Sequence, residues 1–236
     1  MNKKAIILLI LAIIILFLLL KLDLSINNIE NIEKEELESR LRLAGDWLLN
    51  MQKNNGDMEY EYFPLKNEYS KERNIIRHTA SIWGFGLLYQ YTKDKKYSNA
   101  LEKGINFILN SYYIEEDDFA YIKFNDETNI GSAGFLILAM LNSENPDKYK
   151  NEIEKLKNFI IKQQRSDGSF ETYYLKEKND SNYFPGEALL ALINLYEYDK
   201  NEEYLEILDK ALPYYKNYFI ENPNVEMITW HSQAYS

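Results

Sequence analysis

The segment Phe184–Phe219, FPGEALLALINLYEYDKNEEYLEILDKALPYYKNYF, has two apolar-patterned halves joined by a short polar turn. The first half is almost free of charge, whereas the second carries its charged residues on one face only. Apolar residues recur three and four positions apart in both halves, which is the spacing of a helix that buries one face. They are Leu189, Leu192, Ile193 and Tyr196 in the first half, and Tyr204, Leu208, Leu212 and Tyr215 in the second. The segment is therefore predicted to be a helical hairpin.

The same hairpin pattern occurs twice earlier in the chain. The segments Thr79–Tyr91 and Ile130–Leu141 contain no charged residue. Each is followed by a turn and an amphipathic return helix, over Tyr97–Asn110 and Pro146–Gln164. A further helix is predicted before them over Glu33–Met51, where apolar residues again have helical spacing.

Two sequence markers indicate that these hairpins are repeats. The tyrosines that begin the return helices are Tyr97, Tyr149 and Tyr204, which lie 52 and 55 positions apart. The motif Gln52-x3-Gly56 recurs as Gln164-x3-Gly168, 112 positions later, which is about two such periods. Fixed periods of this size are typical of supersecondary units that stack on one another.

The alternation of uncharged and amphipathic helices predicts two layers. A helix that is apolar on every face must be buried on every side, while an amphipathic helix keeps one face in water. Alternating the two kinds places the uncharged helices in an inner ring and the return helices outside it, as in an α/α toroid. An open solenoid is the structural alternative, but it usually leaves one face of every helix wet. The predicted fold class is all-α, with repeated helical hairpins forming a partial α/α toroid.

The composition excludes several classes of function. The chain has 236 residues, of which 46% are hydrophobic, and this is enough for a substantial core in one domain. Its formal net charge of −10 repels phosphate backbones, so no nucleic-acid partner is expected. There is no cysteine, which excludes disulfides, thiolate metal sites and a cysteine nucleophile. Because no metal-ligand spacing is present, neither a metal nor a cofactor is expected.

The N-terminus has the pattern of a membrane anchor. Ala5–Leu20 is an unbroken run of sixteen apolar residues, preceded by Lys3 and Lys4 and followed by Lys21. A run of this length approaches what a bilayer span requires, and it extends further if Lys21 snorkels to the interface. No Ala-x-Ala-like cleavage site follows, so an uncleaved anchor is preferred to a signal peptide. Because acids dominate Asp23–Glu38, the N-terminus is expected in the cytoplasm and the rest of the chain outside.

The predicted organisation therefore has three parts. Residues 1–24 form a single N-terminal transmembrane helix in the cell membrane, residues 25–32 form a linker, and residues 33–236 form an extracellular toroid-like domain. An amphipathic helix lying on the membrane surface is the alternative for the first part. It fits poorly, because the apolar run has no polar face.

Three stretches resemble a known superfamily. They are Arg77-His-Thr-Ala, Gln163–Phe170 (QQRSDGSF) and Phe184–Leu192 (FPGEALLAL). Together with the tyrosines that begin the return helices, they resemble the six-hairpin glycosidase-type α/α toroids. This superfamily includes unsaturated glucuronyl hydrolases, polysaccharide lyases and the toroidal domain of uronyl C5-epimerases. The resemblance covers roughly Glu33–Ser236, mainly as a repeat pattern, and implies processing of a cell-envelope or extracellular polysaccharide.

A second toroid superfamily shares one of these elements. The Gln-x3-Gly-x-Phe element at Gln164 is similar to the repeat of terpene cyclases and prenyltransferases. The DxDD or DDxxD acids of terpene chemistry are missing, since Asp117-Asp118 is a bare pair. No cysteine and histidine positions are arranged for a prenyltransferase zinc. The resemblance to the glycan-processing superfamily is therefore preferred.

The resemblance implies a site where the inner helices begin, because their N-terminal ends line one funnel in such folds. The repeats align on Ala80, Ala133, Ala188 and Ala234. This register places Glu187 level with the starts of the other inner helices, next to His78 and His231. These three residues are predicted to be catalytic and to converge within one cleft. The structural alternative is that the two histidines cap or pack at helix starts.

Carboxylates are the other candidate catalytic groups. Glu187 lies in the first turn of its helix, where the macrodipole favours an acid, and it becomes a general acid or base if burial raises its pKa. Glycoside hydrolysis usually needs a second carboxyl group. Asp57, Glu59 or Asp167 are the candidates for it, because they follow or lie within the two Gln-x3-Gly elements. Asp167 also has the sequence context of an ordinary turn residue.

Four residues are predicted to bind substrate. Arg77 suits a carboxylated sugar through a bidentate contact, although it equally suits a surface acid. The aromatic candidates for a glycan-binding groove are Tyr62, Tyr183 and Trp230.

Three hypotheses follow for the function. The first is a membrane-anchored enzyme of the hydrolase, lyase or epimerase type, and the second is a non-catalytic module that binds a glycan or a partner. The third is a truncated or split protein, because the chain supplies about seven helices and the beginning of another at Trp230–Ser236. The ring is then incomplete at the C-terminus, and a second chain is expected to complete it.

Overall fold

Helices follow one another in pairs through most of the chain. The computed structural model describes residues 14–15 and 33–236, and these residues fall into two compact units, 1–44 and 45–236. The helices are α1 (Lys34–Asn50), α2 (Ile75–Thr92), α3 (Lys95–Ser111), α4 (Ile130–Leu141), α5 (Lys150–Lys162), α6 (Phe184–Asp199), α7 (Glu203–Glu221) and α8 (Glu226–Ala234). A 3₁₀ turn, Pro146–Tyr149, precedes α5.

The expected membrane anchor and linker lie outside the described residues, apart from residues 14 and 15. No helix in the described part of the chain is long and apolar enough to cross a bilayer. The first unit is described only over residues 33–44, within and just before α1. All that follows concerns the second unit.

The second unit has the two helical layers that the sequence predicts. Helix α4 packs between α2 and α6, and α8 packs on the other side of α6. The return helices α3, α5 and α7 each pack against the preceding member of this inner set. Helix α4 is buried from Ile130 to Met140 on all its faces, as expected for a helix without charge. The core therefore lies along the inner layer and beneath the return helices.

Three asparagine and aspartate caps fix where the helices start. The side chain of Asn74 accepts a hydrogen bond from the backbone N–H of Arg77, and that of Asp94 accepts one from Lys96. Asn129 caps α4 in the same way, through Ser132 N–H at 2.8 Å. Each cap satisfies a backbone donor that the first turn leaves free. The caps at Asn74 and Asn129 set the level at which the inner helices α2 and α4 begin, and the cap at Asp94 fixes the start of the return helix α3.

The two Gln-x3-Gly motifs form the same loop after α1 and after α5. Gln52 donates its side-chain Nε2–H to the carbonyl of Ala100 at 2.9 Å, in the next return helix. Gln164 donates likewise to the carbonyl of Ile207 at 3.0 Å. The two loops therefore bind equivalent positions on α3 and α7, which confirms the structural repeat.

Glycine is required in both loops. Gly56 and Gly168 have φ values of +94° and +92°, in the left-handed region that favours glycine. A Cβ atom on either would come within 2.1 Å of a backbone carbonyl oxygen, that of Lys103 or Lys210 respectively. The loop can therefore approach the next return helix only where no side chain is present.

The domain is mostly helical, as predicted, but two small antiparallel sheets that the sequence analysis did not predict connect the helices. One is the hairpin of β1 (Tyr62–Phe63) and β2 (Glu68–Tyr69) between α1 and α2. The other has three strands between α3 and α4, namely β3 (Tyr113–Glu115), β4 (Ala120–Phe124) and β5 (Glu127–Thr128). Strands of two to five residues are too short to give a visible sequence period.

Candidate functional site

A cleft of about 870 Å³ opens at the N-terminal side of the inner layer. All four inner helices line it: Arg77 comes from α2, Asn129 from the cap of α4, Glu187 from α6 and Trp230 from α8. The connecting loops complete its walls with Arg73, Phe124, Asp126, Glu127, Lys176, Lys178 and Asp180. The cleft therefore lies at the end of the inner layer where the sequence register places a site.

Glu187 is the most deeply buried carboxyl group of the cleft. It lies in the first turn of α6, and only 4% of the residue is exposed. Its Oε2 atom has no hydrogen-bond partner among the described residues. Burial, with a smaller effect from the charge of Asp180, raises the pKa of Glu187 to about 8. Its carboxyl group is therefore protonated at neutral pH and is able to donate a proton.

The neighbouring helix leaves room for this carboxyl group. Gly131, in the first turn of α4, faces Glu187, and a Cβ atom there would lie 2.0 Å from Oε2 and 3.0 Å from the ring of Phe184. Gly134 allows a second close approach, because its Cβ would lie 2.9 Å from the Glu187 carbonyl oxygen. The small residues of α4 therefore bring α6 and its acid close to the start of α4.

Asp180 is the carboxyl group of the cleft whose charge acts on Glu187. Its backbone N–H donates to the hydroxyl of the buried Thr172 at 2.7 Å. Its side-chain Oδ1 accepts a hydrogen bond from the backbone N–H of Asn182 at 3.3 Å. The sequence analysis missed Asp180, because it lies four residues before the first residue of α6, a helix whose first-turn acid is the more obvious candidate.

Cationic side chains line the same cleft. Arg77 is exposed, its guanidinium lies 5.6 Å from the centroid of the Tyr60 ring, and no carboxylate within the described residues forms an ion pair with it. Lys176 and Lys178 lie 3.3 and 3.9 Å from a carboxylate oxygen of Glu127. Arg77 therefore offers a planar set of donors to a negatively charged ligand.

Aromatic rings from three inner helices meet beside the cleft. The Trp230 ring lies 5.1 Å from that of Phe135 and 6.1 Å from that of Trp83, centroid to centroid. Trp230 and Phe135 also line the cleft, together with Tyr183 at its rim. These rings provide apolar faces of the kind on which sugar rings stack.

His78 lines a smaller pocket of about 40 Å³, which adjoins the large cleft and shares five lining residues with it, namely Arg73, Asn74, Ile75, Arg77 and Phe124. Its ring stacks on Phe107 of α3, and its Nδ1 atom lies 3.8 Å from Asp57 Oδ1. Burial lowers the pKa of His78 to about 4, although the charge of Asp57 opposes this effect. His78 is therefore neutral at neutral pH.

Asp57 and Glu59 are engaged in ion pairs. Asp57 accepts hydrogen bonds from Arg73 and, at 3.2 Å, from Lys53. Burial alone would raise the pKa of Asp57, but these two cations hold it below its usual value. Lys53 also lies 3.2 Å from Glu59. Neither acid lines the large cleft, so neither lies with Glu187.

His231 is buried on the other face of its helix. Its ring centroid lies 5.1 Å from those of Tyr215 and Phe219, both in α7. Its Nε2 atom has no hydrogen-bond partner in the described part of the chain, and burial lowers its pKa to about 4. His231 therefore packs as an apolar ring against α7 and against the start of α6, where a Cβ atom on Gly186 would lie 2.8 Å from its Cδ2 atom.

The expected convergence of His78, Glu187 and His231 in one cleft is wrong. His78 and Glu187 lie in the first turns of α2 and α6, whereas His231 lies in the last turn of α8, so the register that placed His231 at a helix start is wrong. His78 faces the return helix α3 and His231 faces α7, whereas Glu187 faces the inner helix α4. A shared position along the helix axes does not determine the direction in which a side chain points. The structural alternative of packing histidines describes both of them.

Two further candidates lie away from the large cleft. Asp167 is an exposed turn residue, whose Oδ1 accepts hydrogen bonds from the N–H and hydroxyl of Ser169. Those bonds lower its pKa, and Asn55 forms the equivalent bond to Asp57 N–H in the other loop. Tyr62 lies in β1 and donates to Asn67 at 2.8 Å. Tyr183, Trp230, Arg77 and Glu187 are thus the candidates that share the cleft.

No group of three or more histidine, aspartate or glutamate side chains in the described residues is arranged to hold a metal ion. The residues that sequence reasoning missed are Arg73, Asn129, Lys176, Lys178 and Asp180. All but Asn129 lie in connecting loops, where no helical register predicts their position.

Comparison with known proteins identifies the fold. No family model matches the chain, and no curated protein sequence matches it either. Solved structures with a similar fold include cellobiose 2-epimerase from Bacillus thermoamylovorans, with a TM-score of 0.61 and 18% identity over 80% of this chain. A D-mannose isomerase gives a TM-score of 0.60 at 15% identity over 77% of this chain. An alpha-mannanase of family GH76 from Bacteroides thetaiotaomicron gives a TM-score of 0.59 at 18% identity over 78% of this chain.

These matches confirm the predicted toroid-like fold of stacked helical hairpins. The chain spans 56%, 51% and 51% of the lengths of these three proteins, which is about half of each. At such identities the likeness shows the fold alone.

Proposed function

We propose that the protein processes a carbohydrate in the large cleft, with Glu187 as its general acid. The observation that carries this proposal is the Glu187 carboxyl group, which is buried, without a hydrogen-bond partner in the described residues, and on the cleft wall. Buried polar groups are usually hydrogen-bonded, so an unpaired carboxyl group on a cleft wall is a candidate to bind a ligand, a reacting group or an ordered water.

The ionisation of Glu187 suits the role of a proton donor. A carboxyl group with a pKa near 8 stays protonated at neutral pH, yet it gives up its proton more easily than a hydroxyl or an amine does. Environments that raise the pKa of one carboxyl group are typical of general acids in sugar chemistry. The two histidines contribute no proton transfer here, because each faces a return helix.

The fold supports a carbohydrate as the substrate. The three similar proteins are named for their action on cellobiose, mannose and mannan. In this chain the cleft combines the rings of Trp230, Phe135 and Tyr183 with polar groups, which is the mixture that an amphipathic sugar ring requires. The reaction type is that of a hydrolase, lyase or epimerase.

Arg77 favours a sugar that carries a carboxylate. Its guanidinium has no acidic partner in the described part of the chain, although the whole chain has a net charge of −10. A carboxylate on the ligand would supply the missing acidic partner through a bidentate contact. We therefore infer a uronate-containing glycan of the cell envelope or extracellular space, reached from an N-terminal anchor in the cell membrane. That location rests on the sequence pattern of residues 1–24.

The test is turnover of defined probes by the full chain. The probes are oligosaccharides of polygalacturonate and alginate, with neutral mannan oligosaccharides for comparison. Reducing ends report hydrolysis, absorbance of an unsaturated product reports elimination, and deuterium uptake from solvent reports epimerisation. Glu187→Gln is expected to lower kcat by 100-fold or more. Glu206→Gln, an exposed residue of α7, is the matched control and should keep wild-type activity.

Two outcomes contradict this function. If Glu187→Gln keeps wild-type turnover, Glu187 is not the general acid. If neither wild type nor variant turns over a probe but both bind one, the cleft belongs to a non-catalytic binding module.

A further inference from the structure

A hydrogen-bonded frame links Asp180 to the start of α4. The buried Thr172 accepts the backbone N–H of Asp180 and donates its own hydroxyl to the side chain of Asn179 at 2.8 Å. The carbonyl of Thr172 accepts the N–H of Ile130, the first residue of α4, at 3.2 Å. The position of Asp180 is therefore fixed relative to α4.

The same helix positions Glu187. Its Oε2 atom lies against Gly131, which is the residue after Ile130. One helix start thus holds both carboxyl groups, one through Thr172 and one through direct contact. Both line the same cleft. Two acids that are seven positions apart in sequence are in this way fixed on one frame.

The surroundings of the two carboxyl groups differ. Asp180 is partly exposed, and no lysine, arginine or histidine nitrogen in the described residues forms an ion pair with it. The two nearby lysines of its loop, Lys176 and Lys178, instead approach Glu127. Glu187 is buried without a hydrogen-bond partner for Oε2 within the described residues. Asp180 is thus open to solvent, whereas burial favours the neutral form of Glu187.

We propose that Asp180 is the second catalytic carboxyl group of the cleft and acts as the proton acceptor that works together with Glu187. This inference rests on the proposed function of the cleft. In this role Asp180 replaces Asp57, Glu59 and Asp167, none of which lines the large cleft.

The two groups complete a balanced hydrolytic step. The Glu187 carboxyl group gives its proton to the glycosidic oxygen as the bond from that oxygen to the anomeric carbon breaks. The electron pair of the bond stays on the oxygen. A water molecule forms the new bond to the anomeric carbon and passes one proton to the Asp180 carboxylate. Glu187 ends ionised and Asp180 protonated, and proton exchange with solvent restores both.

The decisive variant is Asp180→Asn. The bond from its backbone N–H to Thr172 does not depend on the side chain, so the turn is expected to fold. With the uronate oligosaccharides as probes, kcat should fall by 100-fold or more, because asparagine cannot accept the proton. The acidic limb of the pH profile, which reports the base, should also disappear. Asp209→Asn, an exposed residue of α7, is the matched control and should match wild type.

A second measurement reports the pair without substrate. The carboxyl carbon of Glu187 in ¹³C-glutamate-labelled protein should titrate at lower pH in Asp180→Asn than in wild type, because a neighbouring negative charge is gone. Asp209→Asn should leave that titration unchanged. This titration tests the electrostatic coupling between Asp180 and Glu187 without any need for turnover.

The outcomes separate this inference from the proposed function. If wild type is active, Glu187→Gln is inactive and Asp180→Asn is active, the second carboxyl group is another residue while the function stands. An unchanged titration of Glu187 in Asp180→Asn likewise overturns the pairing. If Glu187→Gln and Asp180→Asn both keep wild-type turnover, the function and this inference fall together.

Discussion

The Oε2 atom of Glu187 lies against the α-carbon of Gly131, where a Cβ atom would come within 2.0 Å of it. Glycine at this position therefore determines whether the acid of α6 can lie between the two inner helices. Two residues on different helices act as one element of the cleft, because the absence of one side chain makes room for the other.

Gly131→Ala should displace the Glu187 carboxyl group and lower both activity and stability. Overpacking of this kind costs roughly 1–3 kcal/mol of unfolding free energy. In a Glu187→Ala background the same substitution should cost less, because its main steric partner has been removed. Urea unfolding of the four variants of this cycle measures the coupling. Strictly additive costs would show that the two residues do not interact.

Stability should depend on pH through Glu187. The pKa of Glu187 is about 8 when folded, against 4.5 for an ordinary glutamate. Between these values the unfolded chain has lost the proton that the folded protein keeps, so stability falls as pH rises. The contribution is roughly 1.4 kcal/mol per pH unit over this window and is constant above about pH 8. Glu187→Gln should lack it, as denaturant unfolding from pH 5 to pH 8 would measure.

The result is read as a difference between the variant and wild type. Relative to wild type, Glu187→Gln should gain stability steadily from pH 5 to pH 8. A constant difference across this range would contradict a raised pKa for the Glu187 carboxyl group.

Acid should destabilise the fold through its buried histidines. His78 and His231 both have their pKa lowered to about 4, so they stay neutral while the unfolded chain takes up protons below about 6.5. Stability is then present above pH 6.5 and is lost as pH falls toward 4. His231→Phe keeps the ring contacts with α7 and should remove one of the two protons taken up on unfolding. The slope of unfolding free energy against pH, measured between pH 4 and 6.5, should fall accordingly, and an equal slope would contradict burial of a neutral His231.

The two repeated loops should share one sensitivity to side chains. Gly56→Ala and Gly168→Ala each place a Cβ 2.1 Å from a carbonyl oxygen at positive φ. Backbone strain alone costs about 1–3 kcal/mol at such a position. Gly84→Ala is the control, because its Cβ would meet nothing closer than 3.6 Å and alanine favours a helix. In thermal unfolding, Gly56→Ala and Gly168→Ala should lower the Tm, and Gly84→Ala should raise it slightly. If Gly168→Ala left the Tm unchanged, the two loops would not be equivalent.

Arg77 should discriminate between charged and neutral sugars. Arg77→Gln removes the guanidinium but keeps a polar side chain, so binding of a uronate oligosaccharide should weaken by tenfold or more. Binding of the neutral mannan oligosaccharide should change little. Isothermal titration measures both affinities, with Arg165→Gln, which removes an arginine paired with Glu171, as control. An equal loss for both sugars would assign Arg77 a structural role.

Sequence periodicity predicted the helical layers because helices that are buried on every side contain few charged residues. The uncharged segment Ile130–Leu141 forms a helix with these bounds, and its residues up to Met140 are buried. Helix α2 begins four residues earlier than predicted, at Ile75, because Asn74 caps it. The 112-residue offset between the two Gln-x3-Gly motifs predicted two equivalent loops. When stacked repeats form the same contact, the same sequence motif recurs at the repeat spacing.

The site was less predictable, because side-chain direction is not visible in a linear register. Alignment of the helix starts grouped Glu187 with His78 and His231, yet the histidines point toward return helices. The partner of Glu187 in the proposed chemistry, Asp180, belongs to an irregular turn whose position depends on Thr172. Tertiary hydrogen bonds of this kind have no sequence period. The roles of Arg77 and Tyr183 remain predictions.

The amide of Gln164 ties the loop after one return helix to the backbone of the next, and Gln52 does the same two hairpins earlier. A hairpin is consequently not a self-sufficient segment for duplication or exchange. A copied piece must run from such a loop through the end of the following return helix if it is to keep all its hydrogen bonds. The natural boundary for recombining this chain with another toroid therefore lies between two hairpins, just before Gln52 or Gln164, and not at the polar turn within a hairpin.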